Sequence, residues 1–87
     1  MKIVYPAVFH KEKKGYSVEF LDLPGCITQG DNLVEAMEMA KDAALGWLLT
    51  SVEDGEELPK PSDVTDIKVH GKDFVSVFLL DLGVCKA

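Results

Sequence analysis

DLPGCITQGDNLVEAM, residues 22–37, decides how this chain folds. Pro24 presets its own φ and Gly25 is free to take a positive one, so Asp22–Gly25 is a turn. Cys26–Gln29 has the length and composition of a short strand, and Gly30 ends it. Asn32 followed three residues later by Glu35 is a capping-box pattern, and Asp31 adds negative charge where a helix N-terminus favours it. A turn, a strand and a helix start therefore follow one another without a gap. The same stretch carries an apparent concentration of chemistry in Asp22, Cys26, Asp31 and Glu35, but each has an architectural use: turn, buried small hydrophobe, helix start.

Downstream, the pattern predicts a helix over about 32–53. Leu33, Met37, Ala40, Ala44, Trp47, Leu48 and Val52 recur at helical spacing as its core stripe. Ala36, Ala40, Ala43 and Ala44 let its axis lie close to a sheet, and Gly55 closes it. Gly46, inside it, costs about 1 kcal/mol relative to alanine and marks a close approach. Upstream, KIVYPAVFH (2–10) is rich in β-branched and aromatic residues. Its Pro6 must turn its nitrogen away from a ladder bond or sit at a bulge. KEKKG (11–15) is a polar loop. YSVEFL (16–21) alternates, with Tyr16, Val18 and Phe20 on one face and Ser17 and Glu19 on the other, which completes a hairpin. DGEELPKPSDV (54–64) is a polar linker, and FVSVFLLDL (74–82) a last strand that is apolar on both faces. The element order is β-β-β-α-β in a single α+β domain over 1–87. A right-handed crossover through the helix would bring the fourth strand beside the first and parallel to it. The expected sheet is mixed, with order 3-2-1-4, one face under the helix and the other bare.

An 87-residue chain has room for one modest core, and 47% hydrophobic residues suit a packed globule. No apolar run approaches the roughly 18 residues of a membrane span. The N-terminus has no signal-peptide h-region, so the expected location is cytoplasmic. Fifteen acidic residues against nine basic give a net charge of −6. Such a surface repels nucleic acid, whose binding depends on Lys and Arg; the one basic cluster is Lys11, Lys13 and Lys14 in the hairpin loop. It suits a basic partner instead. Two cysteines, Cys26 and Cys85, are too few for a disulfide scaffold and are expected to be reduced.

GYSVEFLDLPGCITQGDNLVEAMEMAKDAA, residues 15–44, resembles the signature of the HicB antitoxin family: an aromatic strand, Asp-Leu-Pro-Gly-Cys, a threonine, Gly-Asp, and a Glu-Ala pair opening an alanine-rich helix. WLLTSVEDGEELPKPS, residues 47–62, extends the likeness to the Pro-x-Pro-Ser after the helix, and the whole spans residues 1 to about 82. The resemblance implies a partial ribonuclease-H-like fold. It also implies a role in a toxin–antitoxin module, in which the HicB protein binds and silences a small basic ribonuclease, the HicA toxin. Many relatives continue into a helix-turn-helix or ribbon-helix-helix domain. This sequence ends after the fourth strand, so the expectation is that the C-terminal DNA-binding domain is absent.

A ribonuclease-H-like enzyme needs several carboxylates converging on two metal ions. Glu19, Asp22, Asp31, Glu35 and Asp81 fit a strand face, a turn, a helix start and a strand end better, so no catalytic residue is expected. His10, His70, Cys26 and Cys85 are zinc-type ligands without zinc-site spacing, so no metal and no cofactor is expected either. A metal-dependent hydrolase is the weakest of three readings. The strongest is an antitoxin-like module that binds a HicA-type toxin, with Glu19, Asp22, Asp54, Glu56 and Glu57 as candidate contacts. Between them stands a self-associating regulatory or scaffold domain without a toxin partner. The fourth strand, apolar on both faces and at a sheet edge, predicts a homo-oligomer, most simply a dimer, through Val75, Val77, Phe78 and Leu79.

Overall fold

Period-two alternation carries the first third of the chain into a meander. In the computed structural model, which describes residues 1–83, β1 (Lys2–Lys11), β2 (Tyr16–Glu19) and β3 (Ile27–Gly30) are followed by α1 (Leu33–Glu53), a 3-10 turn at Val64–Asp66 and β4 (Phe74–Asp81). Cys85 lies outside the described residues. The hairpin between β1 and β2 closes at Lys11↔Tyr16, with Glu12 N–H bonded to the Gly15 carbonyl. The Asp22–Gly25 turn folds tightly: Cys26 N–H donates to the Leu23 carbonyl and Phe20 N–H to the Cys26 carbonyl, with Gly25 at φ 81°.

The sheet order is β3-β2-β1-β4, as the sequence predicts, but the sheet is antiparallel throughout, not mixed. β4 runs against β1 from Phe9↔Phe74 to Lys2↔Asp81. The reason is the length of the connection. α1 returns the chain past the sheet, and a helix of 21 residues covers about 31 Å at 1.5 Å per residue. Residues 54–73 then form a second return, and an extended chain at about 3.3 Å per residue spans that distance easily. Two passes, helix and strap, cancel in direction, so the right-handed crossover rule for parallel strands never applies. Pro6 sits in a central strand, but the β1–β2 ladder ends at Val8↔Glu19. On that side no ladder bond is asked of the proline nitrogen.

One face of the sheet meets α1. Tyr5, Ala7 and Phe9 of β1, Val18 of β2, and Phe78 and Leu80 of β4 are buried there with Ala36, Ala40, Ala44 and Leu48 of the helix. Phe9 stacks on Phe74 at 4.9 Å and on Phe78 at 6.1 Å between ring centroids, within the favourable range for aromatic pairs. The helix buries a narrow line spaced by four residues. Small alanines bring its axis close, which leaves Leu33, Met37 and Val52, expected in the stripe, more than a third exposed. The close approach expected at Gly46 is not there, since nothing lies within 4 Å of a Cβ added to it; helix and sheet instead approach at Gly30, where an added Cβ would stand 2.4 Å from the Ala36 nitrogen. The cap forms as expected at Asn32, whose Oδ1 accepts from Glu35 N–H at 2.8 Å. Glu35 reaches one residue further back than a standard box, accepting from Asp31 N–H at 2.8 Å.

The strap is fastened rather than loose. Tyr5 Oη donates to the Pro59 carbonyl, Asp22 accepts from both the backbone and the hydroxyl of Ser62, and Leu58 packs against the core.

Candidate functional site

Two surfaces among the described residues bring chemistry-bearing or apolar side chains together. The first is a groove of about 620 Å³ between the start of β3 and α1. Gly25, Cys26 and Ile27 form one wall. On the other, Asp42, Gly46 and Thr50 follow one another at four-residue spacing down one side of the helix, beside Trp47. Asp54 and Glu56 lie at the groove's lower end. Trp47 is held across the gap by its Nε1–H, which donates to the Pro24 carbonyl at 2.9 Å. The core stripe of the sequence includes it, and it is half-buried, packed against the core and tied to the turn. Cys26 is buried, and burial pushes its thiol pKa up, which makes it a poor nucleophile. Among the described residues, no Lys, His or amino terminus stands within 4 Å of the Asp42, Asp54 or Glu56 carboxylates. The groove is therefore acidic and uncompensated.

The second surface is the sheet face turned away from α1. Val4, Ile27, Val77 and Leu79 are exposed there, at 42%, 64%, 49% and 60%, and Val75 is half-buried. Phe78, grouped with Val75, Val77 and Leu79 in the expected interface, belongs to the opposite face and is 8% exposed. It is corrected to a core residue, because alternate residues of a strand point to opposite faces. At one end of this surface His10 bridges two carboxylates: Nδ1 lies 2.8 Å from Asp73 and Nε2 lies 3.1 Å from Glu19. Asp73 also accepts from Lys11 N–H. These hydrogen bonds, first to Asp73 and then to Glu19, raise the His10 pKa above its ordinary 6.5. The same contact with His10 lowers that of Asp73.

The five acids chosen from the sequence thus part company. Asp22 is engaged in holding Ser62, and Glu19 in holding His10. Asp54 and Glu56 face the groove, and Glu57 is exposed beside them. Asp42 and Gly46 were missed as groove residues, although the spacing 42, 46, 50, 54 puts them on one helix face. His10 was weighed as a metal ligand. Among the described residues, however, no three of His, Cys, Asp and Glu are grouped to hold an ion, and no helix is long and apolar enough to cross a membrane.

Comparison with known proteins gives this geometry its context. Residues 5–82 match the model of the HicB-like antitoxin of bacterial toxin–antitoxin systems. Over 74 residues the chain is 40% identical to antitoxin HicB 1 of Photorhabdus laumondii subsp. laumondii, covering 84% of this chain and 44% of that one. The fold superposes with a TM-score of 0.86 on a chain of a toxin–antitoxin complex from Streptococcus pneumoniae, at 25% identity, over 97% of this chain and 72% of that one. It superposes with a TM-score of 0.76 on the N-terminal domain of antitoxin HicB from Burkholderia pseudomallei, at 24% identity, over 92% of this chain and all of that one. The chain spans about half the length of the curated relatives it matches. With the turn, the short strand, the capped helix and the strap all falling inside the matched segment, the chain belongs to the HicB-like antitoxin family.

Proposed function

We propose that this chain neutralises a HicA-type toxin by binding it directly, in the cytoplasm, with no chemistry of its own. The observation that carries the reading is the family match over residues 5–82, which takes in most of β1, the other three strands and the helix. The surface is consistent with it. A net charge of −6 and unpaired carboxylates favour a cationic protein partner and oppose nucleic acid. Expression of a HicA-type toxin should arrest growth, and co-expression of the chain should restore it. A stable complex should also be isolated by size exclusion. A toxin whose activity is unaffected by a stoichiometric excess of the folded chain would refute the reading.

Self-association is a second activity of the same molecule, favoured by the bare sheet face. Val4, Val77 and Leu79 are neighbours across β1 and β4, since Val4 pairs with Leu79 and Pro6 with Val77. Among the described residues, β4 also has no strand on its outer side. A long apolar edge strand is an aggregation hazard unless it is paired, and a twofold dimer through Val75, Val77 and Leu79 would cover it.

A further inference from the structure

Gly46 is a helix-interior glycine that this chain does not need. It is exposed, its φ is not positive, and a Cβ built on it meets no atom within 4 Å. Alanine would fit there and would favour the helix. The space is left open in the middle of the groove wall, one turn below Asp42 and one turn above Thr50. It is flanked by Trp47, whose Nε1–H is held by the Pro24 carbonyl. Asp42, Asp54 and Glu56 look onto the same space with no cation paired to them among the described residues. A bare backbone, an aromatic wall and three free carboxylates in a groove of about 620 Å³ describe a receptor for a long cationic side chain. Its aliphatic stem needs an apolar wall, and its charge is favoured both by carboxylates and by an indole face.

We propose that the groove between residues 25–27 and α1 receives a lysine or arginine side chain of the toxin, with the toxin backbone passing closely over Gly46. The assignment rests on the toxin-binding reading and deepens it by naming the surface. It separates the groove acids from Glu19 and Asp22, whose carboxylates are occupied within the fold.

The test is titration calorimetry of the full chain with a purified HicA-type toxin that it neutralises in co-expression. Three proteins are compared: wild type, the triple variant Asp42→Asn/Asp54→Asn/Glu56→Gln, and Gly46→Leu. A control triple variant, Glu12→Gln/Glu38→Gln/Asp66→Asn, removes the same charge elsewhere. The groove triple should weaken Kd by about tenfold or more, and the control by about twofold at most. Raising salt from about 0.05 to 0.5 M should weaken the wild type more than the groove triple, because screening acts on charges the variant lacks. Gly46→Leu should keep the helical circular dichroism and thermal midpoint of wild type while losing at least tenfold in affinity, roughly the effect of a steric clash against the partner. If Gly46→Leu unfolds, the two triple variants decide. Wild-type binding with both groove variants within about twofold of it would overturn this assignment and leave toxin binding standing. No binding by the wild type would bring down both.

Discussion

Alanine at Gly30 and alanine at Gly46 should move stability in opposite directions. Neither glycine has a positive φ, so backbone freedom is not what distinguishes them; space is. At Gly46 the added methyl enters open solvent-filled groove, and the substitution should gain the helix-propensity difference of about 1 kcal/mol. At Gly30 the methyl would stand 2.4 Å from the Ala36 nitrogen and 2.6 Å from its Cα. Both are backbone atoms in the first turn of α1, so no side chain can rotate away. The helix start must lift by about 1 Å from β3 to restore ordinary contact distances of about 3.5 Å. That lift loosens Ala36 and Ala40, both fully buried, and strains the Asn32 cap. Overpacking of this kind costs about 1–3 kcal/mol, and loss of the cap would add about 1 kcal/mol. Gly30→Ala should therefore destabilise by about 2–4 kcal/mol in all. Urea denaturation followed by far-ultraviolet circular dichroism, with the slope m held common, measures both variants. In thermal melts each 1 kcal/mol should appear as about 4–8 °C in a domain of this size. A Gly30→Ala midpoint within about 0.5 kcal/mol of wild type would refute the contact between β3 and the helix start. A destabilised Gly46→Ala would mean that the groove wall is not open.

Replacing Asn32 and Glu35 together by alanine should cost about 1–2 kcal/mol, because the bonds to Glu35 N–H and Asp31 N–H are both lost; an unchanged urea midpoint would contradict the cap. The raised pKa of His10 means its stabilising contribution is complete below pH 6.5 and is lost as pH rises through the higher folded-state value. The imidazole signal should therefore titrate above 6.5 by NMR, and His10→Gln should narrow the stability difference between pH 5.5 and pH 8.5. A His10 titration at or below 6.5 would exclude the Asp73–Glu19 bridge. Val77→Lys and Leu79→Lys should each shift the chain toward monomer in light scattering at micromolar concentration, and a wild type that is already monodisperse as a monomer would dismiss the dimer. Incubation with RNA or DNA and Mg²⁺ or Mn²⁺ should give no cleavage; metal-dependent cleavage that disappears in Asp22→Asn would reverse the binding-module reading.

Local chemistry made the elements legible. The Pro24–Gly25 turn, the Asn32 cap and the alternation in Tyr16–Phe20 depend on residues within a few positions of one another, and each lies where the sequence predicts it. The order of the first three strands followed from the same elements, because consecutive strands joined by short turns pair; β4 lies beside β1 as expected, but not through the parallel crossover from which that place was read. The family, too, was legible in residues 15–62, since its signature is a run of local devices. The direction of β4 was not. It depends on the path of residues 54–73, where little periodic signal exists, and on fastenings between residues far apart in sequence: Tyr5 to Pro59, Asp22 to Ser62. The same distance in sequence hid the working surfaces. Asp22 and Glu19 read as free acids until the fold brought Ser62 and His10 to them. Asp73 became a partner of His10 only when β4 aligned antiparallel to β1. Asp42, Gly46 and Asp54 share a helix face by simple spacing, but a face becomes a groove only when a second wall stands opposite. That wall, Gly25–Ile27, is placed by the pairing of β3 with β2 and by the helix settling onto Gly30.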